Sequence, residues 1–583
     1  MKRFIVAALL LAGCVTATPP PPAQPVRVVI VGTTDVHGWF NGREEIARDG
    51  KPGFRYGGLA LFASYVTSLR AENPGGVILV DSGDVFQGTL ESNLFEGEPI
   101  VKAYNDIGYN GVAVGNHEFD FGPVGPDPVA RRPGDDALGS LKRNASIATF
   151  PFLSANMREK ATGQTPSWAR RSTVVTVDGV KIGIIGLSTP DTPNVTVASN
   201  VASLSFGDPV AATIEEARDL RVRGVAAVIV IAHMGGRCTD LGDVTDVPSC
   251  EKHHEAMQYL SALPAGTIDA YFGGHTHSQM RHVISGTPAL QAMPFSQEFS
   301  SIELVIDPQQ NRVSAAELRP LTMICSVVFS GTERCDARNA PPNATLVPRI
   351  FLGRQMTPDP KVAQTLAPYL ERVAAKRNEP LGITTSAPFR RSYLAEAELG
   401  NLASDALRLA TGADIAFMNS GGIRSNLRAG DLVYADLFEV SPFDNFPAIV
   451  LLTPDQIHEL LRLTSTGERG VLQTSGLRYT IDAAKDQDRP AALRDRIVSM
   501  TLPNGQPLDP NKLYRVAMPD FVAGGGDATA PLMKTVPAGG ISVDQSRPLR
   551  EVLIEGLKQM PQPLTPKLDG RITVLNAKQG DRE

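Results

Sequence analysis

The sequence predicts an α/β protein of two domains, and three observations carry that expectation. The chain has 583 residues, too long for one ordinary core. From Val26 to about Pro320, short apolar runs alternate with segments of helical spacing, the layout of sheets covered by helices. After about residue 380 the pattern turns mixed, with helical stretches first and strand-like runs later. A hydrophobic content of 42% and a charged content of 20% belong to a soluble globular protein. The formal net charge of -6 excludes a protein that coats nucleic acid through a basic surface, but not one that binds a single small phosphate compound.

The N-terminus lies outside this pattern. "MKRFIVAALLLAGC" has Lys2 and Arg3, an apolar run, and then small residues, the plan of a secretory leader and too short for a stable membrane span. Its end, "LAGC", resembles the lipobox of bacterial lipoproteins, which implies lipidation at Cys14 and an exported, membrane-anchored, periplasm-facing or outer-membrane protein. "TPPPPAQP" then reads as an extended tether. The expected organisation is a leader at 1–14, a tether at 15–25, a first domain at 26–345, a linker with a helix at 346–379, and a second domain at 380–575. The linker helix is carried by the amphipathic "DPKVAQTLAPYLERVAAKR", and the stretch 326–358 reads as a crossing loop. Cys238, Cys250, Cys325 and Cys335 form two pairs close in sequence. In an exported chain they are expected to form the disulfides Cys238–Cys250 and Cys325–Cys335, since neither pair has the tight C-x-x-C spacing of a zinc site.

Chemistry concentrates where the strands end, outside the carboxyl edge where α/β sheets bind ligands. "VILV" reads as a buried strand, yet it runs into "DSGDVFQGT", two acids three apart among small residues. A caged cation explains so much negative charge at the mouth of a sheet. The other strand ends supply further ligands: Asp35 and His37 in "TTDVHG", Asn116, His117, Glu118 and Asp120 in "GNHEFD", His233 in "AHMGG", and His275 and His277 in "GGHTHS". Five of the nine histidines lie in these stretches. His253, His254, His282 and His458 read as surface or packing residues. Residues two apart at a strand end point the same way. A carboxylate such as Asp84 can bridge two ions through its two oxygens, and Asn116 offers a neutral carbonyl oxygen. Mixed imidazole and carboxylate ligands suit Zn, Mn, Fe or Co better than Ca or Mg.

The order D-x-H, G-D-x-x-x-G, G-N-H-E-x-D, x-H-x-G, G-H-x-H resembles the calcineurin-like metallophosphoesterases. "GNHEFD" together with "FLSANM" resembles the 5'-nucleotidase branch, which includes UDP-sugar hydrolases and 2',3'-cyclic nucleotide phosphodiesterases. "LGNLASDA", "NSGGIRSNL", "SPFDNF" and "DFVAGGGDA" extend the resemblance into the second domain, so it covers about residues 26 to 575. It implies a four-layer β-sandwich flanked by helices, followed by a smaller mixed α/β substrate-binding domain. It also implies two divalent metal ions, with Asp35, His37, Asp84 and His277 on one and Asp84, Asn116, His233 and His275 on the other. His117 and Asp120 resemble the catalytic pair, and Asp81 a supporting residue.

The implied reaction is phosphate release from a nucleotide by hydroxide activated between two metals. Phe443 and Phe521 match positions where two rings sandwich a base, and Arg424 a phosphate- or carboxylate-binding residue. Asp527, Asn419 and Asn445 match sugar and base contacts. The chain departs from the pattern at Tyr393, where an arginine is usual, and Arg390 or the adjacent Arg391 is the expected substitute. Ser420 also stands where glycine is frequent. The expected partner is a small nucleotide or nucleotide sugar and no nucleic acid polymer. The alternatives are a cyclic nucleotide phosphodiesterase, a UDP-sugar hydrolase, a thiosulfohydrolase-like enzyme, or a non-catalytic binding lipoprotein.

Overall fold

In the structure, a computed structural model, residues 24–45, 54–125, 127–336, 345–467, 469–490 and 493–577 are described. The leader with Cys14 and tether residues 15–23 lie outside the described residues.

The first domain is built on two sheets packed face to face. Strand β1 (Val26–Thr33) runs parallel to β2 (Val77–Asp81), with Val29 opposite Val77 and Thr33 opposite Asp81. Strand β3 (Gly111–Ala113) continues the sheet beyond β2. On its other side β1 pairs antiparallel with Glu298–Asp307, which folds back on Arg312–Leu318 as the expected closing hairpin. In the second sheet, β4 (Val180–Ser188), β5 (Ala227–His233) and β6 (Ala270–Gly273) run parallel side by side.

Alternation along each strand explains the layering. Val28 and Ile30 of β1 and Ile78 and Val80 of β2 point between the sheets, where they meet Ile182, Ile184, Ile229 and Ile231. Val29, Val31 and Leu79 point the other way, onto Phe62, Tyr65 and Tyr104 from helices Leu59–Glu72 and Glu98–Ile107. Helices Pro209–Val222 and Glu255–Ala262 cover the second sheet with Leu220, Met257 and Leu260. The order is therefore helix, sheet, sheet, helix. Strands buried on both faces must be apolar throughout, so polar residues gather at their ends.

The linker helix spans Pro360–Arg377, with the Asp359 side chain accepting from the Lys361 and Val362 amides and Pro at the first helical position. Val362, Leu366, Tyr369 and Val373, spaced by three and four, pack into the first domain's core. The stretch 326–358 is more regular than its polar, Pro-containing sequence suggests. Val327–Phe329 pairs with Leu346–Pro348, and Ile350–Phe351 with Arg354–Gln355. Disulfides join Cys238 to Cys250 and Cys325 to Cys335.

The second domain has a mixed sheet in the order Leu472–Ser475, Ile415–Asn419, Tyr514–Pro519, Pro447–Leu452, Ile541–Val543. Helices Glu398–Thr411 and Leu549–Lys558 cover one face, and helix Pro454–Thr464 the other. Among the described residues no helix is long and apolar enough to cross a membrane.

Candidate metal centre

The ends of β1, β2, β5 and β6, with the loop after β3, converge on one buried point. Two groups form there: Asp35 with His37 and His277, and Asp84 with His233 and His275. Asp84 Oδ2 lies 2.9 Å from His233 Nε2 and 3.6 Å from His37 Nε2, so this carboxylate faces both groups. Asn116 Oδ1 lies 3.0 Å from His233 Nε2. The Asn116 amide nitrogen donates to the Val195 carbonyl, which turns the oxygen inward.

The backbone that aims these groups is unusual. Asp35, His37, Asp84, His275 and His277 all have φ between 48° and 76°. Few non-glycine residues adopt this left-handed conformation, and it persists only where the surroundings over-determine it. Here the loops brace one another: the Asp35 amide donates to Gly83 O, the His37 amide to Asp84 O, and the His275 amide to the Asp35 carboxylate. Gly83 and Gly115 are needed for that approach, because a Cβ on Gly115 would stand 2.2 Å from Asp84 Oδ1 and one on Gly83 2.8 Å from Gly115 N.

Glu118, which the sequence offers only as one more acid in "GNHEFD", ties the loops together from below. Its carboxylate accepts from the amides of Asp84 (2.9 Å), Val85 (2.7 Å) and Gly115 (2.7 Å). Asp81 also faces away from the ligand groups. It accepts from Thr33, Tyr104 and the Gly83 amide, so of the two acids in "DSGD" only Asp84 enters the centre.

The donor chemistry fits cations. His37 Nδ1 is 2.7 Å from Gln87 O and His233 Nδ1 2.9 Å from Ser82 O, so each ring carries a proton at Nδ1, and a cation that displaces any proton at Nε2 meets that atom's lone pair facing inward. His37 Nε2 lies 3.0 Å from His277 Nε2, and His233 Nε2 lies 3.2 Å from His275 Nδ1. Nitrogen donors gathered this closely with two carboxylates suit a cation held among them. Burial lowers His233, but Asp84 and the other acids outweigh it and lift the imidazole to about 10. Burial, reinforced by Arg424, holds His37 and His277 well below the usual histidine range, and burial with His233 pulls His275 down to about 3. The last three are thereby neutral, the form in which imidazole binds metal.

Beside the ligands, His117 Nδ1 sits 2.6 Å from Asp120 Oδ2, and the other Asp120 oxygen accepts from Thr196 Oγ1 at 2.9 Å. The second domain reaches the same point. Arg424 Nη2 donates to His37 Nε2 at 3.1 Å, its guanidinium carbon lies 5.7 Å from the centre of the Phe443 ring, and that ring lies 5.5 Å from His117. Asn419 donates to Asp527 Oδ2 at 2.9 Å, and its own Oδ1 is buried without a hydrogen-bond partner. Phe521 is half-buried against Gly526, and among the described residues no ring contact joins it to Phe443. Asn445 is half-buried, with its carbonyl on the Leu549 amide.

Arg390 is a correction. Its side chain is exposed, while Arg391 donates to Ile423 O, lies close enough to Arg424 to feel its charge, and itself helps to lower His277. Burial and Arg424 lower Arg391 to about 10. Adjacent residues on an extended segment face opposite ways, so only one of the two can point inward. Tyr393 lies against Gly470 and Gly421, near Asp527, Arg469 and Arg424, and remains 41% exposed.

Comparison with known proteins places the chain. Residues 28–279 match the model of the calcineurin-like phosphoesterases, and residues 373–535 match that of the 5'-nucleotidase C-terminal domain. Protein UshA of Yersinia enterocolitica is 26% identical, over 88% of this chain and 88% of its own length. A 5'-nucleotidase of Vibrio cholerae is 25% identical, over 90% of this chain and 91% of its own. The crystal structure of a 5'-nucleotidase precursor from Thermus thermophilus shares the fold, with a TM-score of 0.74, 24% identity, and coverage of 95% of this chain and 100% of that one. The chain belongs to the metallophosphoesterases that pair a calcineurin-like phosphoesterase domain with a 5'-nucleotidase C-terminal domain, and it is a phosphoester hydrolase.

Proposed function

We propose that this protein is an exported enzyme that releases phosphate from nucleotides at a dinuclear metal centre. The observation behind the reading is the meeting, at one buried point, of two ligand groups that share Asp84, the His117–Asp120 pair, and Arg424 with Phe443 from the second domain. Asp35, His37, Asp84 and His277 would hold one divalent ion, and Asp84, Asn116, His233 and His275 the other. When bound, such ions lower the pKa of water and draw charge from phosphoryl oxygens.

The rest falls to side chains. Asp120 engages His117 Nδ1, which orients the ring and favours its protonated form, so that Nε2 can give a proton to the leaving oxygen. Arg424 meets the phosphoryl oxygens with a planar fork. Phe443 and Phe521 stack on a base, which is tolerant of base identity because every base has a π-face. Asn419, Asn445 and Asp527 take sugar and base groups, and the unpartnered Asn419 Oδ1 is an acceptor suited to a ribose hydroxyl. The similarity to relatives that include a 5'-nucleotidase supports a nucleotide substrate.

A second reading, a cyclic nucleotide phosphodiesterase or UDP-sugar hydrolase, is favoured by one observation. Tyr393 stands near Asp527, Arg469 and Arg424, where the family usually has an arginine, and Arg391 lies beside Arg424. Metal analysis with a phosphate-release assay on AMP, ATP, UDP-glucose and 2',3'-cyclic AMP separates the readings. Release from AMP by a protein carrying two ions per chain supports the first, and turnover confined to UDP-glucose or the cyclic nucleotide supports the second. Anchoring is tested separately: Cys14→Ser is expected to move the protein from the membrane to the soluble fraction of its host. A wild-type protein already soluble after export would overturn the anchor.

A further inference from the structure

Between β4 and the rest of its domain lies a turn, residues 191–196, that touches both halves of the molecule at once. On its outer side the Asp191 carboxylate accepts from Arg469 Nη2 at 2.8 Å, and the Asn194 carbonyl accepts from the Asp527 amide at 3.1 Å. Both donors belong to the second domain. On its inner side the Val195 carbonyl accepts from Asn116 Nδ2 at 2.9 Å, and Thr196 Oγ1 donates to Asp120 Oδ1 at 2.9 Å. Asn194 Nδ2 donates to Asp191 Oδ1 at 2.7 Å, so the two outer contacts are fastened to each other.

We infer that this turn couples the seating of the second domain to the placement of the His117–Asp120 pair, with Asp191, Thr196 and Arg469 as positioning residues. The inference rests on the assignment of His117 as the acid in the proposed function.

The geometry supports transmission rather than mere adjacency. Thr192 and Thr196 are almost wholly buried, and Thr192 Oγ1 closes the turn on Thr189 O at 2.7 Å, which leaves little slack. A displacement at Asp191 or Asn194 must therefore appear at Val195 and Thr196, a few residues on. Thr196 is the partner of the Asp120 oxygen that does not face His117, so its position sets the tilt of the carboxylate and, through the 2.6 Å contact, of the imidazole. On the other side the reporting residue is a substrate-side one: Asp527 lends its amide to the turn and its carboxylate to Asn419. Asp527 and Ala528 have φ of 53° and 63°, a strained pair that brings that amide to Asn194. A nucleotide that draws Asp527 and Asn419 into place would thus also set the acid, which ties turnover to correct occupancy.

The experiment uses the full chain loaded with Mn²⁺ and p-nitrophenyl phosphate, which has no base or ribose to contact Arg469. Arg469→Gln and Thr196→Val are each expected to lower kcat roughly five- to a hundredfold, the range of ordinary coupling between sites, with KM and metal content unchanged. Thr196→Ser, which keeps the hydroxyl, should restore most of the rate. The double variant should be little worse than Thr196→Val alone, because both act along one path. Hydrogen exchange of the unliganded chain supplies a readout independent of turnover: Arg469→Gln should raise exchange at both 191–196 and 116–120. Full multiplication of the two losses, an Arg469→Gln effect on KM alone, or faster exchange confined to 191–196 would each overturn the coupling. If His117→Ala leaves the rate intact while the exchange result holds, the assignment of the acid fails and the mechanical link stands.

Discussion

The two halves of the candidate site are held to different degrees. On the metal side Asp35, His37, Asp84, Asn116 and His233 are at most 1% exposed, and each is fixed by neighbouring amides, carbonyls or rings. On the substrate side Phe443, Asn445 and Phe521 are half-buried, and the Asn419 carbonyl oxygen has no partner. The difference fits what each half would bind in the proposed function. A small dense cation needs ligands placed to within a fraction of an ångström before it arrives, and a buried site gives each charge its full weight. A base and a sugar are larger and variable, and flat rings with a few hydrogen-bonding groups suffice.

That contrast predicts graded damage. The largest effect belongs to the shared ligand: Asp84→Asn is expected to lose at least one ion and nearly all turnover. Near-normal activity in a metal-analysed sample would mean that the two ligand groups do not act as one centre.

Next is His117→Ala, which should keep both ions and slow the reaction by roughly 10²–10⁴-fold, the usual contribution of a general acid. A collapse of metal content would place His117 among the structural supports of the metal side and not beside it.

Smaller again is loss of either ring. Phe443→Ala and Phe521→Ala each remove stacking of about 1–3 kcal/mol per base, which raises KM for a nucleotide by about tenfold to a hundredfold. Hydrolysis of a small aryl phosphate should change little for Phe521→Ala. Phe443→Ala sharpens the contrast, because that ring also lies 5.5 Å from His117. A loss on the aryl phosphate as well would show that Phe443 serves both sides. Equal losses on both substrates for both variants would make the rings core packing.

The smallest effect on chemistry, though not on stability, comes from the disulfides. Both lie in the first domain and span 12 and 10 residues, so each should stabilise by about 3 kcal/mol through loop closure. Replacing Cys325 and Cys335 by serine is expected to lower the unfolding temperature of the first domain in calorimetry and leave that of the second unmoved. An equal shift of both would show that the two halves unfold as one unit.

The α/β order, the linker helix and the set of metal-ligand candidates were legible in the chain, because local physics governs all three. Strands buried on both faces must be apolar, so their polar ends stand out, and a helix packed on one side writes its spacing into Val362, Leu366, Tyr369 and Val373. Tertiary structure decided the rest. It set how Asp81, at the end of β2, is held by Thr33 and Tyr104 while Asp84, three residues on, enters the centre. It turned Arg391 inward and Arg390 out, set five candidate ligands in left-handed backbone, and brought Thr196 to Asp120 across 76 residues of sequence. These are properties of loops that brace one another. No single loop has the hydrogen bonds to hold such a conformation alone, so the signal exists only once the strands have brought the loops together.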